Sequence, residues 1–294
     1  MPVAATQLEN EVDLVARTAR WVRGAEGLVE ALAATGFDFH SREAALLTLN
    51  GVEDADDSTL VALIERGAPV EMKILELDPS VDSSEHSGSA LLRDAIFYGK
   101  PHLFQTLVER GWLDRLGGSD ASMAFARGAA GCNAAMVDVA ISSGVAIDLP
   151  AARRRQSSQS EAVATADLEG SALANLSGSY RCADEPTRVS VAQRLLAHGA
   201  DPNRRDAAGQ TAIFGVENLE LLNLLLSNGA DPRVLDYEGN SAVFGSWTDA
   251  IVLRLLQAGA SPVGMYYDGR TLDQQARERD MPMTAAWLAS NPNP

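Results

Sequence analysis

The side chains with the most chemistry to offer are four histidines (His40, His86, His102 and His198) and two cysteines, Cys132 and Cys182. Catalysis by such groups requires convergent partners at a defined spacing. The chain has no Gly-x-Ser-x-Gly elbow, no Walker-type glycine loop and no His-Glu-x-x-His helix. Two cysteines are too few for a four-thiolate zinc site or a disulfide framework, and they read as two reduced thiols. Neighbouring carboxylates such as Asp56 and Asp57 are common in any acidic chain and signal little. Arg153, Arg154 and Arg155 form the only dense basic run, which reads as a solvated loop rather than an anion contact. The expectation is therefore a non-enzymatic protein without cofactor, metal or small-molecule substrate.

Charge narrows the partners. Forty acidic residues against 24 basic ones give a formal charge of −16. Phosphate backbones repel such a chain, so nucleic acid is not an expected ligand. A basic protein would be attracted and steered in. No apolar run approaches the roughly 20 residues that cross a bilayer, so no membrane is expected either. The first 20 residues, with Glu9, Glu11 and Asp13, lack a basic region followed by an apolar one. No secretory signal is read there, and a cytoplasmic location is expected.

The elements that would position any site come from self-similarity. LLAHGADPNRRDAAGQTAIF (195–214) returns as LLSNGADPRVLDYEGNSAVF (225–244), and again as LLQAGASPVGMYYDGRTLDQ (255–274). Leucine pairs end a helix facing the core. Gly199, Gly229 and Gly259 then stand where the helix stops and a left-handed conformation is wanted. Asp206 with Gly209, and Asp236 with Gly239, shape a tight turn. Thr211, Ser241 and Thr271 are placed to cap the next helix.

These motifs resemble the ankyrin repeat: a helix pair, then Gly-Ala-Asp-x-Asn, then Asp-x-x-Gly-x-Thr-Pro-Leu opening the next pair. Phe214 and Phe244 depart from it, standing where the repeat usually has histidine, and are expected to fill the inter-repeat core. The first helices of those two repeats also look short. Weaker copies lie at 88–114 and 123–148, while 27–39 and 58–70 read as second helices only. His102 matches the family's inter-helix turn, and the other histidines fall at polar surface positions of repeats. Trp21, Trp112 and Trp287 are assigned to packing or caps.

The resemblance implies an all-α ankyrin-repeat solenoid of about seven helix-pair repeats with projecting hairpin tips, continuous over 1–294. Residues 1–87 are divergent repeats, 88–170 middle repeats, and 171–294 well-matched repeats closing in a cap with a polar outer face. Two insertions interrupt it: an acidic extended hairpin at 74–87 and a polar loop at 151–169.

Family members bind other proteins through hairpin tips and first helices. The matching positions here are Arg205, Leu235, Tyr237, Met265 and Tyr267 beside the turns. Gln210, Asn240 and Arg270 follow the turn glycines, and Trp247 lies on a first helix. Tyr237 stacking on Tyr267 merely to stiffen the array is the competing account. The expected function is a cytosolic bacterial immunity protein that binds and occludes a basic toxin. The alternatives are a secreted effector, or a cytosolic regulator or scaffold, using the same face.

Overall fold

Left-handed glycines punctuate the chain. Gly36, Gly67, Gly111, Gly144, Gly199, Gly229 and Gly259 all take φ between 80° and 115°. Each ends a helix, a position where an L side chain would clash and glycine does not. The computed structural model describes residues 25–80, 83–148, 171–179, 181–206, 208–246, 248–266 and 269–291. Expectations for residues 1–20, Trp21, the 151–169 insertion with its arginines, Trp247 and Tyr267 lie outside these residues. The described part holds 15 α-helices, two 3-10 turns and no named strand. By compactness it divides into Met1–Ala124 with Ser142–Val145, and Phe125–Ile141 with Ala146–Pro294.

In the first unit the helices are α1 (Ala25–Ala34), α2 (Arg42–Gly51), α3 (Asp57–Glu65), α4 (Ile74–Leu77), α5 (Ser87–Phe97), α6 (Pro101–Glu109), α7 (Trp112–Leu116) and the start of α8 (Gly118–Ala129). The second-position helices α1, α3 and α6 pack in succession, and the first-position helices α2 and α5 pack on each other. Leu28, Val29, Leu32, Phe39, Ala44, Leu47 and Leu63 form one buried cluster at the start of the stack. A lone helix pair could not bury such a face, so the neighbour supplies the core.

Helix α2 corrects the sequence reading, which gave this region second helices only. Its pattern REAALLTLNG is weakly amphipathic, but Ser41 caps it and Ala44, Ala45 and Leu47 are buried. The 74–87 segment is a hairpin, as expected, closed by a Lys73–His86 bridge and by Ile74 N–H donating to Glu85 O at 2.8 Å. Within it α4 makes one helical turn. The Arg42 guanidinium donates to the Glu76 and Leu77 carbonyls and pins that turn down.

Carboxylates close the helix starts. Asp56 caps α3, accepting from Thr59 N–H at 2.8 Å and Ser58 Oγ at 2.6 Å. Partial burial pulls its carboxyl upward. Hydrogen bonds from Ser58 and Thr59, together with nearby Lys100, outweigh this and hold it below the ordinary aspartate value. A depressed folded-state pKa stabilises above the unfolded pKa and loses that stabilisation as pH falls through the folded one. Asp56→Ala is therefore expected to cost about 1 kcal/mol at neutral pH. In urea titrations the cost should shrink as pH drops below about 4, the ordinary aspartate range. A cost independent of pH would deny the cap its charge. Asp57 reaches across to the next pair, accepting from His102 N–H at 2.7 Å and Leu103 N–H at 2.8 Å at the start of α6.

In the second unit, the rest of α8 leads to α9 (Ala134–Ser142), α10 (Ala172–Ser177), α11 (Glu185–Ala197), a 3-10 turn Ala212–Gly215 and α12 (Leu219–Ser227). A second 3-10 turn Ala242–Gly245, α13 (Asp249–Ala258), α14 (Leu272–Glu278) and α15 (Pro282–Ser290) follow. Helices α11, α12, α13 and α15 stack in sequence. Opposite them, α10 and the two 3-10 turns stack. The expected shortening of the first helices is therefore severe, to single turns. A Cβ on Gly245 would lie 2.6 Å from Phe214 O, so the backbones meet directly.

Three expectations change here. Thr271 caps α14, but Thr211 and Ser241 make no cap bond, because a single 3-10 turn leaves little helix to cap. Ser241 Oγ instead donates to Ser261 O at 2.5 Å. The closing pair is polar outside on α14, where Arg277 and Glu278 are exposed, but α15 exposes Met283, Ala286 and Ala289. Most consequentially, Cys132 and Cys182 are not two thiols but a disulfide, their Cα atoms 5.1 Å apart. A separation of 50 residues concealed that the turns before α9 and α11 lie side by side. Phe214 is buried as expected, whereas Phe244 is half-buried and packs edge-on to Tyr266 at 5.1 Å.

Candidate functional site

The three C-terminal hairpins share one hydrogen-bond plan. Asp206 N–H donates to Gln210 O at 2.9 Å, and Gly209 N–H to Asp206 O at 3.0 Å. Asp236, Gly239 and Asn240 repeat this at 2.9 and 3.1 Å. The aspartate carboxylates tighten both turns, each accepting two backbone N–H groups, those of Ala208 and Gln210 and those of Glu238 and Asn240. In the third hairpin Tyr266 replaces the aspartate. Its N–H donates to Arg270 O at 2.8 Å, its ring is buried, and its hydroxyl donates to Val243 O at 3.3 Å.

Adjacent hairpins are bonded to each other. Asn203 Nδ2 donates to Gly229 O at 2.8 Å while its Oδ1 accepts from Asp231 N–H at 2.7 Å. Tyr237 N–H donates to Ala208 O at 2.8 Å. Its ring lies over Gly209, where a Cβ would come within 2.9 Å of the ring carbons. The hairpins are thus a stiff ladder rather than independent loops. Upstream, Asp148 Oδ2 accepts from Asp201 N–H at 2.7 Å; burial pushes the Asp148 carboxyl up, against the opposing pull of that bond and of Arg204.

The sequence-selected residues divide in two. Arg205, Gln210 and Arg270 are committed to the scaffold. Arg205 Nη1 donates to Leu235 O at 2.8 Å and Gly209 O at 3.2 Å. Gln210 Nε2 donates to Asp236 Oδ2 at 3.4 Å, and Arg270 pairs with Glu278 at 2.7 Å. Asn240 donates weakly to Glu238 at 3.5 Å. Leu235, Tyr237 and Met265 are 40%, 56% and 61% exposed on successive tips. Val263, 69% exposed on the third hairpin, belongs with them. It stands three residues before the turn position held by Tyr266, outside the pair of residues that flank each turn.

The four histidines fall at separate positions. His102 is exposed and bonded to Asp57 at 2.9 Å, His86 lies 6.0 Å from the Trp112 ring, and His40 and His198 are exposed. Among the described residues no group of three His, Cys, Asp or Glu side chains is placed to hold a metal. No described helix is long and apolar enough to cross a membrane.

Paired helices, left-handed terminal glycines and hairpins bonded rung to rung define an ankyrin-repeat solenoid. The same fold is found in the human ASB11 ankyrin repeat domain, to which the chain is similar at a TM-score of 0.54 and 17% identity, over 85% of this chain and 99% of that one. The ankyrin repeat domain of Bcl-3 aligns over 87% of this chain and 98% of its own, at 15% identity and a TM-score of 0.44. No protein-family profile and no curated protein sequence matches the chain.

Proposed function

We propose that this chain is a protein-binding module that grips a partner through the tips of its C-terminal hairpins. The observation that carries the reading is the row of exposed apolar side chains, Leu235, Tyr237, Val263 and Met265, on a ladder stiffened by cross-hairpin bonds. Exposed apolar rows are characteristic of interaction sites. Aromatic anchors on rigid supports also lose little conformational entropy on binding. Asn240, Trp247 and Tyr267 complete the proposed surface, with Arg205, Gln210 and Arg270 as its braces. The reading takes residues 1–294 as one array of about seven repeats, and it assigns no catalytic role.

The finer reading is a bacterial immunity protein working in the cytoplasm. Its partner would be a toxin whose active cleft is basic, since a charge of −16 accelerates association with such a surface. The test is co-expression with toxins encoded beside the gene, followed by co-purification in low and high salt. Rescue of growth, with a complex whose association rate falls as salt rises, is the expected result. Binding without rescue would remove the immunity reading and leave a regulator or scaffold. Recovery of the chain from host cells after infection would favour the secreted effector.

A further inference from the structure

We propose that Cys132–Cys182 is a thiol–disulfide exchange site, with Cys182 the entry sulfur, through which low-molecular-weight disulfides and thiols add or remove a covalent brace at the junction between two successive helix pairs. This inference does not depend on the protein-binding reading.

The two sulfurs occupy equivalent places. Cys132 ends the turn between α8 and α9, and Cys182 lies in the turn between α10 and α11. Both turns are set by bonds other than the disulfide. Asn133 caps α9 by accepting from Met136 N–H at 3.0 Å, and Asp184 caps α11 by accepting from Thr187 N–H at 2.7 Å. Ser179 Oγ donates to Ala130 O at 2.5 Å and ties one turn to the other. The buried Arg188 holds the Ser177 and Ser179 carbonyls at 3.3 and 2.6 Å. Reduction therefore leaves the two thiols side by side, ready to pair again.

Access differs between them. Cys132 is 6% exposed, whereas Cys182 is only half-buried. In the oxidising direction the Cys182 thiolate attacks a small disulfide, forms a mixed disulfide and expels one thiolate. The Cys132 thiolate then attacks the Cys182 sulfur, closes the bond and expels the second thiolate. The two protons of the protein thiols pass to the released thiolates, so one small disulfide becomes two small thiols. Reduction runs in reverse, with the sheltered Cys132 thiolate leaving.

The brace has work to do at this point. The cysteines are 50 residues apart, well beyond the 30-residue step of the C-terminal repeats. Longer connections cost more to close, and a cross-link removes that cost from the unfolded chain.

The test equilibrates the full chain with reduced and oxidised glutathione, alkylates the remaining thiols and measures mass and thermal unfolding. The expected outcome is a 132–182 linked peptide in oxidised buffer and two alkylated cysteines in reduced buffer. Oxidised chain should melt about 5–10 °C above reduced chain. Glutathione should be trapped faster on Cys182 in Cys132→Ser than on Cys132 in Cys182→Ser. Wild-type chain alone carries the melting test should either variant fail to fold. Free thiols in oxidised buffer, links only between chains, or equal melting in the two forms would overturn the proposal. Faster trapping on Cys132 would overturn the assigned order of attack.

Discussion

Trp112→Ala is expected to lower the free energy of unfolding by about 3–5 kcal/mol, the usual cost of emptying a large buried aromatic site. Trp112 is 0% exposed and its ring occupies space that Gly88 leaves open; a Cβ there would lie 2.2 Å from the indole. The Arg115 guanidinium covers the ring at 4.4 Å and is itself held by Glu71 at 2.6 Å. The indole Nε1 is buried with no hydrogen-bond partner among the described residues, so the ring contributes through packing and the Arg115 contact rather than through its N–H. Trp112→Phe should therefore retain much of the stability, and Gly88→Ala should cost about 1–3 kcal/mol through overpacking. Urea denaturation of the three variants provides the check. A loss below about 1 kcal/mol for Trp112→Ala would mean that the site collapses around the missing ring.

Tyr237→Ala combined with Met265→Ala should weaken the partner complex at least ~30-fold, about 2 kcal/mol or more, while leaving the melting temperature nearly unchanged. Both side chains are more than half exposed, so their removal uncovers no core. Arg205→Ala is the informative contrast. It loses one bond within its own hairpin, to Gly209 O, and one to the next, to Leu235 O, so it should loosen the ladder and affect melting before it affects contacts. Calorimetric titration with thermal scans of the same samples separates the two effects. Undiminished affinity in the double variant would move the binding site off the tips.

What could be read from residues alone follows from how local each device is. A terminal glycine, a turn aspartate and a pair of leucines act within a few positions, so the 195–274 copies revealed both the helix ends and the hairpins. Helix α2 escaped because REAALLTLNG carries no repeat motif, and its place is set by what packs on Ala44 and Leu47. The disulfide escaped for the opposite reason: nothing near Cys132 in sequence points to Cys182, and only the stacking of two turns brings them together. Leu235, Tyr237 and Met265 could be placed on exposed tips because each adjoins a turn position. By contrast, the bond of Arg205 to Leu235 O and the pairing of Arg270 with Glu278 were not legible, because a side chain's commitment to neighbouring carbonyls or carboxylates is invisible before folding.

The contacts of Asn203 with Gly229 and Asp231 carry a consequence for how such a chain changes over generations. Donor and acceptor lie 26 and 28 residues apart, so one hairpin reads its neighbour at nearly the period of the repeat itself. An in-frame duplication of thirty residues would bring its own asparagine, glycine and aspartate, and so arrive with its seams already matched. Growth by whole modules thereby becomes an easier route to a new partner than rewriting the tips one residue at a time.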